Sequence, residues 1–277
     1  MLDEFLHKQL RLPYNLRAKT LRKVENPRAV VIFVHGIASS VEMWTQAEQF
    51  VKGDYNVFAV DLLGHGQSPK PDWSGAQNLQ TQARALHLSI LKLKKLGLPL
   101  FLIGHSMGSL VVAEYLKKNP RSVNGAFLLS PPIYSPDEAK DSLQESALKR
   151  NYQKIIKNPE NSIKFVNGVI SAGMVSVDKF NSQAEFEPIR QALDEAILNQ
   201  DTFNVLARAE ETPIKIIYGA FDPVVIGANI RKLGRMNPWI RTTRVLASHD
   251  PTKEMLTIVS RDIKLLLKEK KWAKKLF

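Results

Sequence analysis

Short apolar runs separated by longer stretches of helical periodicity recur along most of this chain, and that rhythm restricts the fold more than any single residue does. The runs fall at residues 16–23, 29–35, 55–61, 100–104, 125–130, 214–219 and 242–247. Most are β-branched and apolar at consecutive positions, as strands buried on both faces must be. Helix-periodic stretches at 77–96, 106–118 and 224–236 are long enough to serve as crossovers between parallel strands, and 43–51 and 253–270 read as further helices. The expectation is an α/β fold with a mostly parallel central sheet and helices on both faces.

The rhythm breaks once. From residue 132 to residue 207 no strand can be drawn, only charged and amphipathic helical sequence punctuated by Pro136, Pro159, Gly168 and Gly173. A structureless loop of that length is improbable in a compact domain, so a helical cap inserted between two strands of one sheet is expected. The chain then divides into a first part of the core (1–131), the insertion (132–207) and a second part of the core (208–277).

A chain of 277 residues, 44% of them apolar, can build one large core, and no apolar run approaches the roughly 20 residues that cross a bilayer. The first residues carry early acids and no signal-peptide pattern, so a cytoplasmic location is expected. The absence of cysteine excludes disulfides and thiolate chemistry. The net charge of +12 raises the question of nucleic acid. Its basic residues, however, gather near the ends: Arg11, Arg17, Lys19, Arg22, Lys23 and Arg28, then Lys268, Lys270, Lys271, Lys274 and Lys275. No aromatic residues interleave with them as a base-stacking surface requires, so no nucleic-acid partner is expected. A solvated basic face is expected instead, with a weak contact to anionic membrane surfaces left open by Trp272 and Phe277 in the tail.

The chemistry centres on Gly104-His105-Ser106-Met107-Gly108, which joins an apolar run to a helical stretch. Glycines at this spacing allow a tight strand-to-helix turn that lifts the central hydroxyl above the sheet and sets it at a helix N-terminus. A serine nucleophile needs a base, held in its tautomer by an acid. Of the six histidines, His7 precedes the sheet, His87 lies in a helix, His105 points away inside the turn, and His35 and His65 sit in glycine turns at strand ends. His249, after the last strand, is the candidate base. Asp222, just past the strand 214–219, is the candidate acid; a loop-capping role is its structural alternative, and Asp137 and Glu138 stand in reserve. Asp250 is too close to His249 in sequence to orient it. For the oxyanion hole the candidates are the backbone N–H groups of Met107 and of Ile37, the latter in the glycine turn His35-Gly36-Ile37.

Together with Asp61-Leu62-Leu63-Gly64-His65-Gly66-Gln67-Ser68, Tyr218-Gly219-Ala220-Phe221-Asp222 and Ser248-His249, these segments resemble the α/β-hydrolase superfamily in order over nearly the whole chain. Within it the sequence is similar to small carboxylesterases and monoacylglycerol-lipase-like enzymes. The resemblance implies that 61–68 shapes the floor of the site and that the insertion is the variable cap. A serine at the nucleophile position argues against the dehalogenases and epoxide hydrolases of the superfamily, which use aspartate. The segment Ser248-His249-Asp250-Pro251 departs from the usual Gly-His at the base.

The expected activity is hydrolysis of short- to medium-chain carboxylic esters, monoacylglycerol among them, through an acyl-enzyme, with no metal or cofactor. The same groups would serve a thioesterase or a carbon–carbon bond hydrolase, and the fold alone would serve a non-catalytic ligand-binding module. The insertion offers Tyr134, Tyr152, Ile155, Met174, Val175 and Phe180 as candidates for an apolar lid.

Overall fold

The computed structural model describes residues 2–94, 97–137, 142–171 and 180–268. A single helical turn, α1 (Leu2–Glu4), precedes the sheet. β1 (Ala18–Arg22), β2 (Ala29–Val34), β3 (Tyr55–Val60), α2 (Leu79–Lys94), β4 (Leu100–His105), α3 (Met107–Lys118) and β5 (Gly125–Leu129) follow. The insertion carries α4 (Leu143–Lys157), α5 (Pro159–Ser171), α6 (Gln183–Ala192) and α7 (Thr202–Ala207). The chain returns to the sheet with β6 (Ile214–Gly219), α8 (Gly227–Met236), β7 (Ile240–Val245) and α9 (Lys253–Lys268).

The seven strands lie in the order β1-β3-β2-β4-β5-β6-β7. Only β1 is antiparallel to its neighbour. Strand alternation assigns the side chains to two cores. Val30, Ile32 and Val34 of β2 join Leu102, Leu128 and Ile216 in one core, covered by α2, α3 and α8. Ala29, Val31 and Phe33 join Ile103, Phe127 and Ile217 in the other, covered by α9 and the segment around Trp44. All six residues of β2 are buried, which explains its unbroken apolar sequence.

The chain leaves β2 toward β3 and returns to the opposite side of β2 as β4, so the order reverses between β2 and β4. A crevice opens beyond the strand ends at such a switch point. Gly108, in the first turn of α3, makes the closure tight. A β-carbon on it would fall 2.4 Å from the His35 carbonyl oxygen and 2.5 Å from that of Val34.

Three expectations shift in detail. The helix expected over 43–51 is instead two short 3-10 turns, Val41–Trp44 and Ala47–Phe50. Asp61 Oδ1 accepts the Val41 N–H at 2.7 Å, and the buried Trp44 stacks on Phe33 with centroids 4.5 Å apart, so two distant anchors override local helical preference. The last strand begins and ends two residues earlier than its β-branched pair Thr242-Thr243 suggests, because Ile240 pairs with Ile214 and the ladder closes at Val245 opposite Gly219. The N-terminal basic residues are not simply a solvated face: Arg17 meets Asp61, Lys19 meets Glu42 and Arg22 meets Glu48. The tail residues Lys270, Lys271, Trp272, Lys274, Lys275 and Phe277 lie outside the described residues, as do Met174 and Val175.

The insertion carries helices but no strand among its described residues, and local sequence explains where two of its helices start. Ser142 Oγ accepts the Glu145 N–H and Ser182 Oγ accepts the Glu185 N–H, two instances of the Ser-x-x-Glu start signal. Phe186, Ile189 and Leu193 then bury against the core shared with α2 and α3.

Gly108→Ala is expected to lower unfolding stability by about 1–3 kcal/mol, because the added methyl meets backbone oxygens that cannot rotate away. Urea denaturation checks this; unchanged stability would show that β2 and α3 are free to separate.

Candidate active site

Ser106 stands between β4 and α3 with φ 50° and ψ −122°, a left-handed conformation that a residue with a β-carbon adopts only under constraint. Its N–H donates to Leu129 O at 2.9 Å, and Ser109 Oγ donates to Gly104 O at 2.8 Å, so β5 and α3 hold the turn from both sides. Ser106 is only 5% exposed.

The hydroxyl meets His249. Its Oγ lies 3.0 Å from Nε2, and the opposite ring nitrogen, Nδ1, lies 2.9 Å from Asp222 Oδ2. The carboxylate fixes the tautomer: Nδ1 carries the proton and donates it, leaving Nε2 to accept from the serine. Both ring nitrogens are thereby taken, leaving neither for Asp137 or Asp250. Glu138 lies outside the described residues. Asp222 also fulfils the loop-capping alternative, because Oδ1 accepts the N–H groups of Val224 at 2.9 Å and Val225 at 3.2 Å. One carboxylate therefore orients the imidazole with one oxygen and is itself anchored by the other.

The loop carrying His249 is bound to the end of β6. Ala220 N–H donates to Val245 O at 2.7 Å and Phe221 N–H to Ala247 O at 3.0 Å. Gly219 permits this approach: a β-carbon there would stand 2.3 Å from the carbonyl oxygens of Ala247 and Ser248.

Ile37 and Met107 flank the serine from β2 and α3. Among the described residues neither backbone N–H has a backbone acceptor outside the helix and strand ladders, an arrangement that an oxyanion hole would require. Behind Ile37, His35 is fully buried and fixes the turn. Leu62 N–H donates to its Nε2 at 3.0 Å, so Nδ1 holds the proton and donates to Gly36 O at 2.6 Å. The Gly36–Ile37 peptide is planar and trans, so anchoring its carbonyl aims the Ile37 N–H the opposite way. Asp61 secures the floor by accepting from Val41 N–H and, through Oδ2, from Gln67 N–H at 2.9 Å and Arg17 Nη1 at 3.3 Å.

Tyr152 of α4 reaches this neighbourhood. Burial pushes its hydroxyl up to about 12, the nearby Tyr134 hydroxyl opposes the rise, and the Asp222 carboxylate adds to it. Gln144 Nε2 donates to Pro223 O at 3.1 Å, tying the start of α4 to the Asp222 loop. Glu145, buried beside it, accepts from Ser135 N–H at 2.6 Å and Asn229 Nδ2 at 3.0 Å. Sequence reasoning missed Glu145, for which the only signal is its start-of-helix pattern with Ser142. It also missed the role of His105, whose Nε2 reaches His249 O.

Comparison with known proteins decides the family. The family model described as serine aminopeptidase, S33 matches residues 25–245. The chain belongs to this family. Among curated relatives, it is similar to the probable lysophospholipase BODYGUARD 4 of Arabidopsis thaliana, 33% identical over 129 residues. That match covers 46% of this chain and 30% of the relative. The monoglyceride lipase of Mus musculus is 29% identical over 126 residues, covering 44% of this chain and 41% of the relative. The chain thus matches less than half the length of either. An esterase from Exiguobacterium antarcticum superposes with a TM-score of 0.72 at 15% identity, covering 92% of this chain and 96% of that one. That likeness shows the shared α/β-hydrolase fold. Among the described residues no helix is long and apolar enough to cross a membrane.

Three buried histidines around the site are held neutral. Burial first, then the neighbouring His65, pushes His35 down to about 3. Burial likewise takes His65 down to about 4, and burial followed by His249 takes His105 down to about 3. In the unfolded chain each regains its ordinary value near 6.5, so the unfolded state binds more protons below that pH. Their contribution to stability is therefore complete above about pH 6.5 and is lost as the pH falls toward the folded values. Urea unfolding between pH 7 and pH 5 should show stability dropping toward acid, each histidine adding up to about 1.4 kcal/mol per pH unit. A flat profile would contradict neutral burial.

Proposed function

We propose that this protein is a serine hydrolase that cleaves carboxylic esters through an acyl-enzyme. The observation that carries the reading is the unbroken Ser106–His249–Asp222 chain, with contacts of 3.0 and 2.9 Å, on a backbone turn strained at the serine. Such strain persists only where the surroundings over-determine it, and it clusters at sites of chemistry.

Ser106 Oγ attacks the ester carbonyl carbon while its proton passes to His249 Nε2, and Asp222 stabilises the imidazolium that forms. The carbonyl oxygen, now an anion, receives the N–H groups of Ile37 and Met107, with the N-terminal end of α3 adding favourable potential. Collapse of the tetrahedral intermediate breaks the ester C–O bond, and His249 returns the proton to the departing alcohol. Water then attacks the acyl-enzyme, gives its proton to His249, and the second collapse restores Ser106 and releases the carboxylic acid.

Short- to medium-chain acyl esters, including monoacylglycerol, fit this reading. Two curated relatives carry the names probable lysophospholipase and monoglyceride lipase. The insertion, contributing Tyr152 beside Asp222 and a wall of buried apolar residues such as Ile155 and Phe186, would serve as the cap over the acyl chain.

A fluorophosphonate probe should add one adduct to Ser106 by intact-mass and peptide analysis, and p-nitrophenyl esters should turn over with a chain-length optimum. Ser106→Ala should abolish labelling and lower kcat by about 10^4-fold or more, and Asp222→Asn by about 10^4-fold. Labelling without turnover of any ester would retain the nucleophile and reject the ester assignment; no labelling would reject both.

A further inference from the structure

The residue before the nucleophile has a position that the proposed chemistry has not yet used. His105 is buried at the end of β4, and its Nε2 lies 3.1 Å from the backbone carbonyl oxygen of His249, 144 residues away in sequence. A carbonyl only accepts, so Nε2 carries the proton and donates. The ring also touches the oxyanion turn: a β-carbon on Gly36 would fall 3.2 Å from His105 Nδ1 and 2.9 Å from Ser106 Cβ. Trp44 closes the far side edge-on at 6.4 Å, and the His249 ring lies 5.1 Å away by centroids. One imidazole thus abuts the three segments whose mutual placement decides catalysis, namely the serine turn, the oxyanion turn and the base loop.

We infer that His105 is a positioning residue that sets the backbone of His249, and hence the reach of its Nε2 to Ser106, through the hydrogen bond to the His249 carbonyl. This rests on the reading of Ser106 and His249 as nucleophile and base.

The base loop needs such a tie. Beyond β7 the ladder has ended, and the pairing of Phe221 N–H with Ala247 O holds the chain only to within two residues of His249. Asp222 fixes the ring at Nδ1, which still allows the ring to swing about that contact. The bond from His105 pins the backbone at the same residue, so ring and main chain are held from opposite sides. Burial of the His105 ring, reinforced by His249, keeps it down at about 3, so it stays a neutral single donor throughout the working range. A second cation next to the imidazolium is thereby avoided.

The test compares His105→Leu, which fills the site without a donor, with His105→Gln, whose side-chain amide can donate to the same carbonyl. Wild type and Ser106→Ala are measured alongside on one p-nitrophenyl ester, with thermal unfolding for every variant. His105→Leu should lower kcat by about 100-fold with KM within about twofold, the scale expected of a base displaced by roughly 1 Å. His105→Gln should recover kcat to within about fivefold of wild type. If His105→Leu does not fold, His105→Met takes its place in the same comparison. Wild-type kcat in the donorless variant, or equal losses in the donorless and Gln variants, would overturn the inference while leaving the nucleophile intact. Absence of turnover in wild type, indistinguishable from Ser106→Ala, would instead bring down the reading on which it rests.

Discussion

The strained backbone of Ser106 is the constraint on which the rest of the site depends. A residue with a β-carbon at φ 50° stores free energy, of order 1–3 kcal/mol, which folding must offset elsewhere. The offset comes from close packing at the switch point: Ser106 N–H bonds to β5, Ser109 bonds back to the turn, and Gly108 lets α3 lie against the main chain of β2. Because β2 leads into the turn that carries Ile37, the same contact that supports the strained serine also holds that turn. Support and chemistry are therefore one packing arrangement.

Around that arrangement several polar groups are buried and find partners within the protein. His35 joins the Leu62 N–H to the Gly36 carbonyl, and Asp61 gathers donors from Val41, Gln67 and Arg17. A polar group left unmatched at such depth costs about 1–3 kcal/mol. These histidines are neutral because charging them there is too costly, whereas His249 is placed where a carboxylate awaits the charge it gains. Environment thus separates the scaffold histidines from the candidate base although all are imidazoles.

Much of this was legible in the sequence because it depends on local signals. The apolar runs of β2, β3, β4 and β5 are buried on both faces, so they read directly as strands. Ser106, Asp222 and His249 each follow a strand in the order the fold requires, and the structure brings those three side chains together. What did not read through are relations between distant residues. The 3-10 turns around Trp44 answer to Asp61 and Phe33, and the early start of β7 answers to β6. His105 reads as a side chain turned away from the serine, and no local signal announces the hydrogen bond from its Nε2 to the His249 carbonyl. Glu138, Met174, Val175 and the basic tail beyond Lys268 fall outside the described residues.

The two ends of the insertion are held to the core by carboxylates. Glu145 at the start of α4 accepts from Ser135 and Asn229, while Glu195, after α6, accepts the N–H groups of Gly75 at 2.7 Å and Gln77 at 2.8 Å. Each carboxylate links the insertion to a different helix on the same face of the sheet, the first to α8 through Asn229 and the second to the segment leading into α2. Gln144, beside Glu145, also donates to the Pro223 carbonyl, so the Glu145 anchor sits against the loop that carries Asp222. The start of α4 is therefore bound to the Asp222 loop, whereas Glu195 anchors the insertion to the segment before α2.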